Sequence, residues 1–190
     1  MKIILASTSP IRNEMLAQAG IEFEAVAPKC DEDSIKLEKK HLKLGDLALE
    51  LAEAKARSVS GEYKDAYVIG SDQICEFEGK SISKSKDEED AFNCLKILNG
   101  NSHTQNNGTC VYLNGECVFK FKEKATLIMK TLSDEEIRAY IKRDHPIGCA
   151  GSYKFELTGR HLFSHIEGSE ECIKGFGMSK VLEFLEKSAK

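Results

Sequence analysis

The sequence predicts an α/β protein: a mixed, twisted sheet with flanking helices, forming one unit over residues 1–190 with room for two lobes around a central cleft. Three observations predict it. Short apolar runs that read as strands alternate with segments of helical periodicity, and a tight turn at Asn114 and Gly115 implies a hairpin, so the sheet is not purely parallel. The length of 190 residues suffices for one sizeable domain or two small lobes. No internal repeat, low-complexity tract or Pro-rich linker divides the chain.

Lys2 to Ala6 is a short apolar strand, followed by the polar loop STSP and a helix, IRNEMLAQA, closed by Gly20. Ser9 suits the N-cap and Pro10 the first helical position, so free N–H groups and the positive end of the dipole face that loop. A second extended stretch, FEAVAP, leads into the acidic KCDED and a charged connector. DLALELAEAKARSV is helical, with Leu47 and Leu51 on one stripe that reaches Lys55 four residues on. VIGSDQICEFEGK reads as a strand region in which Asp72 ends a buried run, and DEEDAFNCLKIL is a helix stopped by Asn99 and Gly100. TCVYLNGECVFKF is the hairpin, and a capping box from Ser133 to Glu136 opens SDEEIRAYIKR. The last third holds CAGSYKFELTGRHLF, a polar GSEE loop and a terminal helix around KVLEFLEK.

An apolar fraction of 41% and a charged fraction of 31% fit an ordinary globular protein. No apolar run approaches the roughly 20 residues that span a bilayer, and MKIILAS is too short for a signal peptide. The net charge of -4, with lysines dispersed among acids, is a poor footprint for nucleic acid. Seven cysteines without a C-x-x-C pair argue against a disulfide framework or a zinc site, so a reduced, cytoplasmic protein is expected.

The residues with chemical potential are few. A carboxylate such as Asp72 at the end of a buried run must be paired, hydrated or used; it reads as a catalytic acid or a turn cap. Glu32 reads as a second acid of the site or a solvated turn, and the two together could hold Mg²⁺ with phosphate oxygens and water. Arg12 in the first helical turn, Lys55 beside an apolar stripe and Lys84 in ISKSK could bind phosphate, or be surface cations. His161 and His165 have helical metal-ligand spacing but lack the acid of H-E-x-x-H, and no dinucleotide or P-loop glycine motif occurs.

In order, ILASTSPIR, APKCDED, LAEAKA, VIGSDQIC, ISKSKDEEDA and HPIGCAGSYKFE resemble the Maf family of nucleoside triphosphate pyrophosphatases as far as about Gly177. The resemblance implies a two-lobed fold related to that of inosine triphosphate pyrophosphatases, and cleavage between the α and β phosphates with a divalent Mg or Mn ion. It implies that Asp72 is the proton acceptor, Glu32 and Asp72 meet the metal, and Ser7, Ser9, Arg12, Lys55 and Lys84 bind phosphate. A homodimer is also implied.

Gln73 and Glu156 are similar to the 7-methyl-GTP branch of that family, where a carboxylate can accept two N–H bonds from guanine but has no donor for a pyrimidine carbonyl. Ile11 stands where that branch has Trp, without the cation–π contribution of about 0.5 to 2 kcal/mol that an aromatic face gives a methylated base. Ser83 and Ser85 around Lys84, Leu157, Phe176 and Gly177 also depart from the family pattern. The expected activity is thus hydrolysis of 7-methyl-GTP or a related modified purine nucleotide. The alternatives are a dTTP/UTP pyrophosphatase and a nucleotide-binding regulator of septum formation with little turnover.

Overall fold

Seven strands and seven α-helices succeed one another along residues 1–188, the part of the chain that this computed structural model describes. In order they are β1 (Lys2–Ala6), α1 (Pro10–Gln18), β2 (Glu24–Val26), α2 (Glu32–Glu38), α3 (Leu44–Ser60), β3 (Ala66–Phe77), β4 (Lys80–Ser81) and α4 (Glu88–Leu98). Then follow β5 (Ser102–Leu113), β6 (Glu116–Met129), α5 (Asp134–Asp144), a 3-10 turn (Thr158–Leu162), β7 (Phe163–Glu167), α6 (Glu170–Lys174) and α7 (Met178–Ser188). The sheet runs β2-β1-β3-β5-β6-β7, with β4 on β3. Parallel β2 and β3 flank β1, while β4 and β7 pair antiparallel, which makes the sheet mixed as expected.

The chain forms two compact units. The first comprises Met1–Gln73, Asn107–Glu123 and the chain from Gly175 onward; the second comprises Ile74–Asn106 and Lys124–Lys174.

In the first unit, alternation along β1 sends Ile3 and Leu5 to one core and Ile4 and Ala6 to another. Met15 and Leu16 of α1 and Val181 and Leu185 of α7 close the first of these; Ala52, Ala56 and Val59 of α3 close the second. Two glycines set how near α3 comes. A Cβ at Gly70 would stand 2.2 Å from the Ala52 carbonyl oxygen, and one at Gly108 2.3 Å from the Leu49 nitrogen. The strands therefore present bare backbone where α3 lies on them.

In the second unit, α4 and α5 cover a core that includes Leu95, Leu98, Leu127, Met129, Ile137 and Tyr140. The capping box is present: Ser133 Oγ accepts from Glu136 N–H, and the Glu136 carboxylate accepts from Ser133 N–H. A buried polar group crosses this core, where His103 Nε2 meets Tyr153 Oη at 3.0 Å and Gln105 Nε2 donates to the same hydroxyl at 2.7 Å.

Three local expectations need correction. The connector after KCDED contains α2, because Asp31 accepts from Ser34 N–H and caps a helix there. The GSEE loop begins α6. The strand before the hairpin starts at Ser102, well ahead of TCVYL, because its buried polar side chains find partners inside the protein. At the turn itself Asn114 and Gly115 both have positive φ, 51° and 85°, the conformation a two-residue hairpin demands.

Gly108→Ala should lower the unfolding free energy by about 2 kcal/mol, read from the urea midpoint, because the added methyl has only backbone of α3 to displace. Burial pulls the His103 pKa down to about 4 from an unfolded value near 6.5, so the fold binds fewer protons than the unfolded chain. Stability present above about pH 6.5 is then lost as pH falls toward 4, by up to about 3 kcal/mol. Between pH 7 and pH 4.5 the wild type should lose more stability than His103→Gln does.

Candidate active site

The first unit gathers its charged side chains around one lysine. Lys55 projects from α3 and its Nζ lies 2.5 Å from Asp72 Oδ1 and 3.1 Å from Glu32 Oε2. Lys55 and Asp72 are buried, with side chains 8% and 9% exposed, while Glu32 is 36% exposed. A buried ion pair holds only if both charges are well partnered, and here one ammonium serves two carboxylates.

Asp72 does not end its strand. It sits within the twelve-residue β3, which continues to Phe77. A carboxylate met by Lys55, in a backbone whose carbonyl is held by Asn107, needs no exit to water, so the strand carries on.

Glu32 is the first residue of α2, placed by the Asp31 cap. The Ser34 hydroxyl, and then its N–H, hold the Asp31 carboxyl below the usual range. The preceding segment is tied to α3, where Ser58 Oγ accepts from Lys29 N–H at 3.0 Å and donates to the Lys55 carbonyl at 2.8 Å. Glu32 is thereby directed at Lys55 instead of standing as a solvated turn.

Arg12, at the start of α1, is buried. Its Nε donates to the Gly175 carbonyl at 2.8 Å and its Nη1 to Ser7 Oγ at 3.4 Å. Burial pulls the guanidinium pKa below its ordinary value, while Asp72 and then Glu32 oppose that shift. Ser9 is the N-cap of α1 by position, without a side-chain cap bond, and its N–H donates to Ser7 Oγ at 3.1 Å. Ser7 is an acceptor in both contacts and keeps its hydroxyl proton to give. Ile11 is half-buried against the core of Ile3, Leu5 and Leu16, and the Gln73 side chain packs beside Gly175.

Lys84 and Glu156 belong to the second unit, and both are exposed. They share a neighbour that the sequence reading passed over, Cys149, whose thiol is pushed up by burial, drawn down by Lys154, raised by Glu156 and lowered by Lys84.

The sequence reading also missed Ser71, Asn107 and Thr109. Asn107 Nδ2 donates to the Asp72 carbonyl at 2.8 Å and to Ser71 Oγ at 3.1 Å, and Thr109 Oγ1 donates to Asn107 Oδ1 at 3.0 Å. Their signal was weak: SHTQNNGT is a continuous polar run ahead of CVYL, without the apolar flank on both sides that marks GSDQ.

Among the described residues no group of three or more His, Cys, Asp or Glu side chains is arranged to hold a metal ion. The donors fit Mg²⁺ or Mn²⁺ in a narrower sense. Lys55 takes one oxygen each of Asp72 and Glu32, and a hard cation can use one or two carboxylates with phosphate oxygens and water. Arg12 and Lys55 are already balanced by Asp72 and Glu32, so a polyanion brought here needs further positive charge.

A sequence profile described as Maf-like protein matches residues 2–188. A protein of Pelagibacter ubique, named nucleoside triphosphate pyrophosphatase, is 35% identical over 189 residues, 97% of each chain. Proteins of the same name from a Ruegeria species and from Legionella pneumophila are 36% and 32% identical over 96% of this chain, covering 94% and 92% of their own. Among solved structures, the Ham1 protein of Staphylococcus aureus aligns with 99% of this chain and 100% of its own at 14% identity and a TM-score of 0.46. No helix among the described residues is long and apolar enough to cross a membrane.

Replacing Lys55 by Met should cost about 3 kcal/mol of stability, since Asp72 is left buried without its cation. The double variant Lys55→Met/Asp72→Asn should recover part of that loss in urea titrations, with a coupling of at least about 1 kcal/mol.

Proposed function

The chain belongs to the Maf family, and we propose that it is a nucleoside triphosphate pyrophosphatase that cleaves 7-methyl-GTP, or a related modified purine nucleotide, to the monophosphate and pyrophosphate. The observation that carries the reaction class is the buried Lys55 between Asp72 and Glu32, with buried Arg12 near enough to feel the charge of the same carboxylates. Such a cluster can accept a proton at one edge and offer cations to phosphate at another.

In this reading a water attacks the α-phosphorus. Asp72 uses the carboxylate oxygen other than the one Lys55 holds, accepts that water's proton, and pyrophosphate departs. Arg12 and the Ser7 hydroxyl orient the phosphate chain, with the N-terminal N–H groups of α1 beside Ser9 adding donors for anionic oxygens. Lys84, in the second unit, is a further cation that the family resemblance assigns to phosphate. A divalent ion held by Asp72 and Glu32 would neutralise phosphate charge. The reading includes a homodimer in a reducing, cytoplasmic setting.

The choice of nucleotide rests on Glu156 and Gln73. Glu156 is an exposed carboxylate, open to the two N–H groups of a guanine edge, whereas uracil and thymine also present carbonyls to which it cannot donate. Ile11 offers apolar packing to the base in place of an aromatic face.

Pyrophosphate release with Mg²⁺ or Mn²⁺ across 7-methyl-GTP, GTP, UTP and dTTP tests this reading. 7-Methyl-GTP should be cleaved preferentially, Asp72→Asn should lower kcat by about 100- to 10,000-fold, and Glu156→Gln should narrow the preference. Preference for UTP or dTTP would sink the specificity, and nucleotide binding without turnover would sink the enzyme.

A further inference from the structure

We propose that Asn107 is a positioning residue for the reaction, one that sets the catalytic carboxylate and, through Ser71, the phosphate-binding arginine from a single buried amide. The inference rests on the pyrophosphatase reading given above and adds to it a residue that touches neither substrate nor metal.

The hydrogen-bond inventory of the amide allows one orientation. Asn107 Nδ2 has two protons and two acceptors, the Asp72 carbonyl at 2.8 Å and Ser71 Oγ at 3.1 Å. Its Oδ1 receives the Thr109 hydroxyl at 3.0 Å. A flipped amide would face the Asp72 carbonyl with an oxygen and leave two acceptors opposed, so that carbonyl sets the orientation of Nδ2, and the Thr109 hydroxyl satisfies the amide oxygen behind it. Asn107, Ser71 and Thr109 are fully buried, and no water competes for these bonds.

Ser71 extends the chain of contacts. Its oxygen accepts from Asn107, and its single proton has three acceptors within reach: Gly175 O at 3.0 Å, Gly108 O at 3.1 Å and Thr109 Oγ1 at 3.0 Å. Gly175 O is also the acceptor for Arg12 Nε at 2.8 Å. The Gly175 carbonyl that orients Arg12 is thus held in place from below by Ser71, and Ser71 by Asn107. Asp72 and Arg12 are set from one point although they lie on different elements.

The two branches predict different kinetic signatures. Asn107 holds the backbone of the proton acceptor, and a misplacement of about 1 Å at such a group can cost as much as about 100-fold. Ser71 acts on the arginine that holds the phosphate chain, so its loss should weaken binding. A residue that only stabilised the fold would change the urea midpoint and leave the kinetic constants of the folded enzyme alone.

The test is steady-state pyrophosphate release by the full chain, with urea unfolding in parallel. Asn107→Ala should lower kcat about 10-fold with KM within about 2-fold, and Ser71→Ala should raise KM about 5-fold with a smaller change in kcat. If Asn107→Ala does not fold, Thr109→Val carries the test: it removes only the hydroxyl that satisfies the amide oxygen and steadies the side chain, and should lower kcat about 3-fold. Unchanged kcat and KM in the folded variants would overturn the inference and leave the pyrophosphatase reading intact. A wild type that releases pyrophosphate from no nucleotide would overturn that reading first, and this inference with it.

Discussion

The ammonium of Lys55 is the charge on which the first unit's polar interior depends. Helix α2 contributes Glu32 to it, β3 contributes Asp72, and α3 carries the lysine itself. Three elements are therefore joined by a contact that exists only if α3 lies close on the sheet. The bare backbone at Gly70 and Gly108 permits that approach, and the alanines Ala48, Ala52 and Ala56 face it without bulk. A larger side chain on either surface would push the helix out and withdraw the cation from its carboxylates. Packing and electrostatics are here one constraint, since small residues set the distance at which the charge is useful.

A second buried network ties together chain segments that are remote in sequence. The Gly175 carbonyl accepts from both Arg12 and Ser71, and Ser71 leads to Asn107 and the backbone of Asp72. These groups are protected from water and nearly all their donors and acceptors are matched, which is the condition under which a polar interior specifies a single arrangement. Residues from β1 onward, from β3, from β5 and from the stretch before α7 are thereby held in one register. Cationic and anionic groups are thereby fixed by the fold itself.

The second unit is organised differently. Its core is largely apolar, and the polar line of His103, Gln105 and Tyr153 crosses that core with desolvation as the main force on its titration. The residues with chemical potential, Lys84 and Glu156, stand on its exterior, around the half-buried Cys149. Both are exposed, whereas Lys55 and Asp72 are buried.

What the sequence determined by itself was what neighbours along the chain decide. The apolar run of β1, the Ser133–Glu136 capping box, Pro10 at the start of α1 and the Asn114–Gly115 turn all follow from side chains a few residues apart. The ordered motifs that mark the family are local in the same way, and Asp72, Lys55, Glu32 and Arg12 could be picked out one by one. Their arrangement could not. Lys55 and Asp72 are 17 residues apart and Arg12 and Gly175 are 163 apart, so no periodicity brings either pair together. That Asp72 lies inside β3, that Arg12 is buried and that Asn107 holds both branches were decided only by the tertiary structure. A buried polar group takes whatever partner the packing brings within reach, and that partner is not written beside it in the chain.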